Sequence, residues 1–257
     1  MLLAFDLDNT IVTQDNRILN RTREAIFAAR AAGHHVTVLT GRTQASARLH
    51  IDDLNLDIPY SLNHGALVLR ADHSVVQQTV VTATDVRDIV TRYAERPGVE
   101  YACIQDDTLF VRDPDDTRWS WVHTESRYLK PFDSSLDLVA DKLVLSCETR
   151  SRETHDAIRS SHPDLVLYLW NDNFIEVTGA KSDKGAALAL ITEMLGVGRD
   201  ETVAFGDGIN DISMLEWAGR SVAVGTEPLD SVLAVSDEHV VGPEQHGVAQ
   251  WLEHNLL

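Results

Sequence analysis

The sequence predicts an α/β protein in which a parallel sheet with helices on both faces is interrupted by an α+β insert. Three observations carry this expectation. Short apolar runs alternate with helical segments over the first seventy residues or so. The texture then changes: ten of the sixteen aromatic residues fall between Thr79 and Thr178, where alternating runs replace continuous ones. After Ser182 the first texture returns.

Leu2–Phe5 is a short apolar run, as in a strand buried on both faces. Asn20 or Thr22 is placed to cap a helix over Arg23–Ala32, and Gly33 supplies its stop. His35–Leu39 reads as a second buried strand, Thr43–Leu54 as a helix, and Tyr60–Leu62 and Ala66–Leu69 as strands. That β–α–β–α–β order predicts a parallel sheet. In the middle, Val99–Gln105 and Leu109–Arg112 flank Asp106-Asp107, and Leu165–Trp170 and Phe174–Val177 flank Asn171-Asp172-Asn173, which predicts two antiparallel hairpins. Helices are expected over Asp85–Glu95 and Arg152–Ser161. Beyond Ser182, a possible N-cap, Lys184–Leu195 reads as a helix stopped by Gly196. Thr202–Phe205, Ser221–Val224 and His239–Val241 follow as strands, with helices at Asp211–Ala218 and Val248–Leu256. The organisation expected is a Rossmann-like, doubly wound core over residues 1–78 and 180–257, split by an α+β insert over 79–179.

With 44% hydrophobic residues the chain is long and apolar enough for a substantial core. No run approaches roughly 18 apolar residues, so no membrane span is expected. The N-terminus lacks a basic segment, and its apolar run stops at Asp6, unlike a secretory signal. Cys103 and Cys147 are too few for a disulfide framework and lack metal-ligand spacing, so a cytoplasmic setting is expected. The formal charge of −18, from 22 Lys+Arg against 40 Asp+Glu, argues against nucleic acid and anionic membranes as partners. An anionic substrate would need a bound cation and local donors.

Four segments are candidates for chemistry. Asp6 and Asp8, in Asp6-Leu7-Asp8-Asn9-Thr10, follow directly on the first strand, where ligands bind in open α/β sheets. Alone this also suits a solvated turn. Thr40-Gly41-Arg42 ends the second strand, where Thr40 offers a hydroxyl and Gly41 lets backbone N–H groups approach an anion. By itself that is ordinary turn chemistry. Lys181-Ser182-Asp183-Lys184-Gly185 opens a helix, a reasonable phosphate site, though helix-end lysines are commonly solvated. Gly206-Asp207-Gly208-Ile209-Asn210-Asp211 begins like a dinucleotide fingerprint but places Asp211 at its third glycine. Carboxylate and amide oxygens suit a hard cation instead. Three strand ends on one sheet edge bring Asp6, Asp8, Asp207 and Asp211 close, and four carboxylates pack together only with a divalent metal or shared protons.

These motifs together resemble the haloacid dehalogenase-like (HAD) superfamily. The Lys184-Gly185 pair and the Gly-Asp-Gly-x-Asn-Asp run at 206–211 are similar to its Cof-type phosphatase branch with a C2-type cap. Asn63-His64-Gly65 resembles that branch's Asn-Gly turn, with His64 inserted, and Asn9 stands where Gly is commoner. The resemblance implies that residues 79–179 are a substrate-specificity cap that closes over the core. It implies Asp6 as nucleophile, Asp8 as acid and base, and Thr40 and Lys184 on the phosphoryl oxygens, with Gly41, Arg42, Asn63 and Asn210 as further phosphate or substrate contacts. Mg2+ would be held by the Asp6 carboxylate, the Asp8 carbonyl and the Asp207 side chain, with Asp211 supporting. The expected reaction is hydrolysis of a small phosphorylated metabolite such as a sugar phosphate, since dehalogenation needs no acid at Asp8. A phosphomutase and a non-catalytic regulator binding a phosphorylated ligand are the alternatives. Trp119, Trp121 and Trp170 either line the cap's substrate side or pack within the cap, packing being the simpler reading.

Overall fold

The computed structural model describes residues 1–119, 122 and 127–257. Two compact units form, one from Met1–Gly41, Ala47–Gln77 and Asp183–Leu257, the other from Arg42–Ser46 and Gln78–Ser182. In chain order the described elements begin with β1 (Leu2–Phe5), α1 (Asn20–Ala31), β2 (His35–Val38), α2 (Gln44–Leu54), β3 (Tyr60–Leu62), β4 (Leu67–Leu69) and β5 (Val75–Gln78). There follow α3 (Ala83–Ile89), β6 (Val99–Gln105), β7 (Thr108–Val111), β8 (Tyr128–Pro131), β9 (Lys142–Cys147), α4 (Ser151–Ser161), β10 (Val166–Trp170) and β11 (Phe174–Thr178). The chain ends with α5 (Lys184–Leu195), β12 (Thr202–Gly206), α6 (Ile212–Trp217), β13 (Arg220–Val224), α7 (Asp230–Leu233), β14 (Glu238–Val240) and α8 (Gly247–Asn255).

The first unit is built on a parallel sheet in the order β14-β13-β12-β1-β2. Every residue of β1 is fully buried because both sheet faces are covered. Alternation along β1 divides its side chains between the two layers. Leu3 and Phe5 pack with Ile26 of α1, Ile51 of α2 and Leu252 of α8, whereas Leu2 and Ala4 pack with Leu188 of α5 and Met214 of α6. This is the doubly wound arrangement that the apolar runs predict. The third strand carries a second pairing. Tyr60–Leu62 meets the end of β2 in the expected parallel sense, through the bridge Leu39–Ser61, and also pairs antiparallel with β4. The cause is the turn at Asn63, His64 and Gly65, all with positive φ, which reverses the chain directly after β3.

Two caps also differ from expectation. Helix α1 starts at Leu19 without a side-chain cap, and the Asn20 side chain instead accepts from Arg23 Nη2 at 2.8 Å. Helix α5 is capped by Asp183, whose Oδ1 accepts from Ala186 N at 2.8 Å, while Ser182 Oγ turns back to Gly179 O and Thr178. Gly185 follows on the first turn. A Cβ there would lie 2.4 Å from Ser213 O, because α5 and α6 approach closely. Gly185→Ala ought to gain about 1 kcal/mol from helix propensity, but the clash costs about 1–3 kcal/mol and wins. Thermal unfolding is therefore expected a few degrees lower; an unchanged or higher midpoint would disprove the close approach.

The second unit carries a sheet in the order β10-β11-β9-β6-β7-β8. The hairpins β6–β7 and β10–β11 form across Asp106 and across Asn171 and Asp172, each in the left-handed region that Asn and Asp tolerate. Helix α3 is shorter than expected and runs into a π turn at Val90–Ala94. Trp119 is buried against Ala102, Ile104, Leu109 and Val111, so it is a packing residue. The Trp170 indole N–H donates to Glu176 at 2.9 Å. Trp121 lies outside the described residues.

Candidate active site

The site grows from the ends of β1, β2 and β12. Asp6 keeps the sheet register, its N–H donating to Phe205 O at 3.0 Å. The chain then tightens: Leu7 O accepts from the N–H groups of Thr10, Ile11 and Val12, and Asn9 sits at φ 55°. An Asn meets that left-handed requirement at little cost, as the commoner Gly would. Asp6 is buried, whereas Asp8, two residues on, is exposed.

At the end of β12, Asp211 fills the space beside Gly206, where a Cβ would lie 2.5 Å from Asp211 Cβ. Its Oδ2 accepts from the N–H groups of Asp207 and Gly208, both at 2.9 Å. Its Oδ1 accepts from Lys184 Nζ. Lys184, the first residue of α5, has no solvent exposure, and its ammonium also donates to Asp6 Oδ1 at 2.5 Å. One buried cation thus ties the acid of β1 to the acid that braces the β12 loop. On the third side, Thr40 is fully buried, its N–H donating to Ser61 O and its carbonyl accepting from His64 N, both at 3.0 Å. Asn63 is buried, with Oδ1 lacking a hydrogen-bond partner among the described residues. Asn210 is buried too, its Nδ2 lying 3.2 Å from His64 Nδ1.

The expected residues Asp6, Lys184, Asp207 and Asp211 therefore converge, and Asn210 is joined to the Thr40 loop through His64. Arg42 donates to Ser46 O at 3.1 Å within its own turn. Two contacts were not anticipated. Thr10 Oγ1 lies 3.5 Å from Asp207 Oδ1, and His64 meets Asn210. His64 carried a signal, since it departs from the commoner pattern.

Charge decides what this cluster can hold. Oxygens of Asp6, Asp207 and Asp211 lie within 4.8 Å of one another. Both Asp211 oxygens already accept hydrogen bonds, as does one of Asp6, and each of the three acids still has an oxygen placed to face a cation. Burial, then the Asp211 charge, raises the Asp6 carboxyl well above its usual range against the opposing pull of Lys184. Burial, and again Asp211, pushes Asp207 up to about 7. Burial alone would lower Lys184, but Asp211 and Asp6 together hold it above its ordinary value. Three carboxylates around one ammonium leave the buried cluster with excess negative charge. An all-oxygen donor set of this kind fits a hard divalent cation.

The haloacid dehalogenase-like hydrolase profile matches residues 3–252. Pyridoxal phosphate phosphatase YbhA of Escherichia coli (strain K12) is 27% identical over 278 residues, covering 100% of this chain and 98% of its own. The 5-amino-6-(5-phospho-D-ribitylamino)uracil phosphatase YitU of Bacillus subtilis (strain 168) is 26% identical, covering 98% and 96%. A solved HAD subclass IIB sugar phosphatase superposes with a TM-score of 0.83 at 25% identity over 98% of each chain. A haloacid dehalogenase-like hydrolase from Bacteroides thetaiotaomicron gives 0.84 at 18% identity over 98% of each chain, a likeness of fold. With its profile spanning nearly the whole chain and its acids and lysine gathered at the strand ends, the protein belongs to the haloacid dehalogenase-like hydrolases, in their Cof-type phosphatase branch.

Proposed function

We propose that the protein is a Mg2+-dependent phosphatase that hydrolyses a small phosphorylated metabolite through an aspartyl-phosphate on Asp6. The observation that carries this reading is the Asp6 carboxylate, buried at a strand end with one oxygen held by Lys184. The other oxygen is then the attacking atom. As it bonds to phosphorus, the P–O bond to the leaving group breaks and Asp8 gives that oxygen its proton. Asp8 then takes a proton from water as the water attacks phosphorus, which frees phosphate and restores the Asp6 carboxylate. Thr40, the Gly41 amide and Lys184 bind the phosphoryl oxygens, with Lys184 offsetting the charge that develops there. Asp6, Asp207 and the Asp8 carbonyl would hold Mg2+, with Asp211 fixing the loop; when bound, the ion supplies positive charge to the phosphoryl group.

Sugar phosphates and related metabolites are the proposed substrates, and the named relatives act on compounds of that size. Purified protein with Mg2+ should release phosphate from members of a metabolite panel, and chelation should stop it. Silence across the whole panel with Mg2+ present would sink the reading.

The metal also has a pH signature. Asp207 is raised to about 7 from 3.8, so its neutral form contributes stability below about pH 4 that is lost as pH rises through about 7. Metal-free protein should melt lower at pH 8 than at pH 5.5. Mg2+ must displace the Asp207 proton at the lower pH but not at the higher. The Mg2+-induced rise in Tm is therefore expected to be larger at pH 8. Equal rises at the two pH values would separate the metal from Asp207.

A further inference from the structure

The turn after β3 holds Asn63, His64 and Gly65 successively in the left-handed region, at φ 50°, 58° and 99°. Two non-glycine residues in that region form a strained segment, which persists only where its surroundings hold it. His64 is 2% exposed and touches two loops at once. Its N–H donates to Thr40 O at 3.0 Å, and its ring lies so close to Gly41 that a Cβ there would fall 2.2 Å from His64 Cε1. Its Nδ1 stands 3.2 Å from Nδ2 of Asn210, in the loop after β12. With the amide nitrogen facing it, Nδ1 is the acceptor of this contact.

We propose that His64 is a positioning residue that fixes the Asn210 amide and the Thr40–Gly41 backbone relative to each other. The phosphoryl group would then meet both loops at one set spacing. This inference rests on the phosphatase reading above and deepens it. Small errors in such spacing are costly, since a misplacement of about 1 Å can lower rates about 100-fold.

The test uses p-nitrophenyl phosphate as substrate and inorganic phosphate as product inhibitor, with Mg2+ present. His64→Ala is expected to lower kcat about 10–100-fold and to weaken inhibition by phosphate, while the Mg2+-induced rise in Tm stays unchanged. His64→Gln, whose side-chain oxygen accepts from Asn210, should recover most of the loss. In an Asn210→Ala background, His64→Ala should cost no more than about 2-fold further, because partners in one interaction are not additive. Wild-type kinetics in His64→Ala, equal losses in the two backgrounds, or His64→Gln behaving like His64→Ala would each overturn the proposal. If His64→Ala does not fold, His64→Gln against His64→Leu decides on the same criteria. If wild-type protein turns over no phosphoester, the phosphatase reading fails instead. Calorimetric binding of inorganic phosphate to wild type and His64→Ala then decides the role of His64.

Discussion

Asp6→Asn is expected to abolish phosphate release, by a factor on the order of 10,000 or more, without unfolding the protein. The amide matches the carboxylate in shape, and its oxygen still accepts from Lys184. It cannot attack phosphorus. The stability of the variant is as informative as its rate. Burial and the Asp211 charge make ionised Asp6 costly in the metal-free protein, so a neutral side chain there relieves repulsion. Metal-free Asp6→Asn should therefore melt no lower than wild type, whereas its Mg2+-induced rise in Tm should shrink. Full turnover in Asp6→Asn would remove the nucleophile from the mechanism, and a collapse in Tm would mean that the carboxylate is structural.

Lys184→Met is expected to damage both stability and activity. The ammonium is completely buried and is the cation bound to both Asp6 and Asp211. Methionine fills much of the same volume but leaves two buried carboxylates facing each other. Removing one partner of a buried ion pair costs about 3–5 kcal/mol, or roughly 10 °C in Tm for a protein of this size. Two further results follow from the cause. Lowering the pH should narrow the deficit, because protonating Asp6 removes one of the stranded charges. Adding Asp6→Asn to Lys184→Met should recover part of it, since the two sites share one interaction. Activity should fall at least about 100-fold through lost charge stabilisation. A Tm equal to that of wild type at pH 7.5 would refute the buried pairing.

The elements that build the site were largely legible. Continuous apolar runs mark β1 and β12 because parallel strands covered on both faces need no polar alternation. The acids after them could be read as one cluster because parallel strands end on the same edge. The turn at 63–65 was less legible. Its left-handed path sends β4 back against β3, and nothing in the types of Tyr60, Ser61 and Leu62 announces that antiparallel pairing beside the parallel bridge to β2. The caps failed for a local reason: Ser182 and Asp183 are both good N-caps, and tertiary bonds from Ser182 to Gly179 and Thr178 settle the choice. The central strand β9 went unmarked because Lys142 and Ser146 interrupt its apolar pattern. Lys142 is nevertheless accommodated, paired to Glu176 at 2.6 Å.

The pairing of β1 with β12 also governs how the protein comes into being. Leu2 lies opposite Thr202, so the central strand lacks one neighbour until the distant C-terminal segment has been synthesised. Contacts so remote in sequence form slowly, and an apolar strand edge awaiting its partner is a target for wrong associations. The second unit takes its strands from residues between the two halves and can assemble during that interval. A ribosome-bound chain ending before Thr202 would hold every residue of β1 yet none of β12. Its first strand would remain an adhesive edge, and Asp6 would have neither Asp207 nor Asp211 beside it.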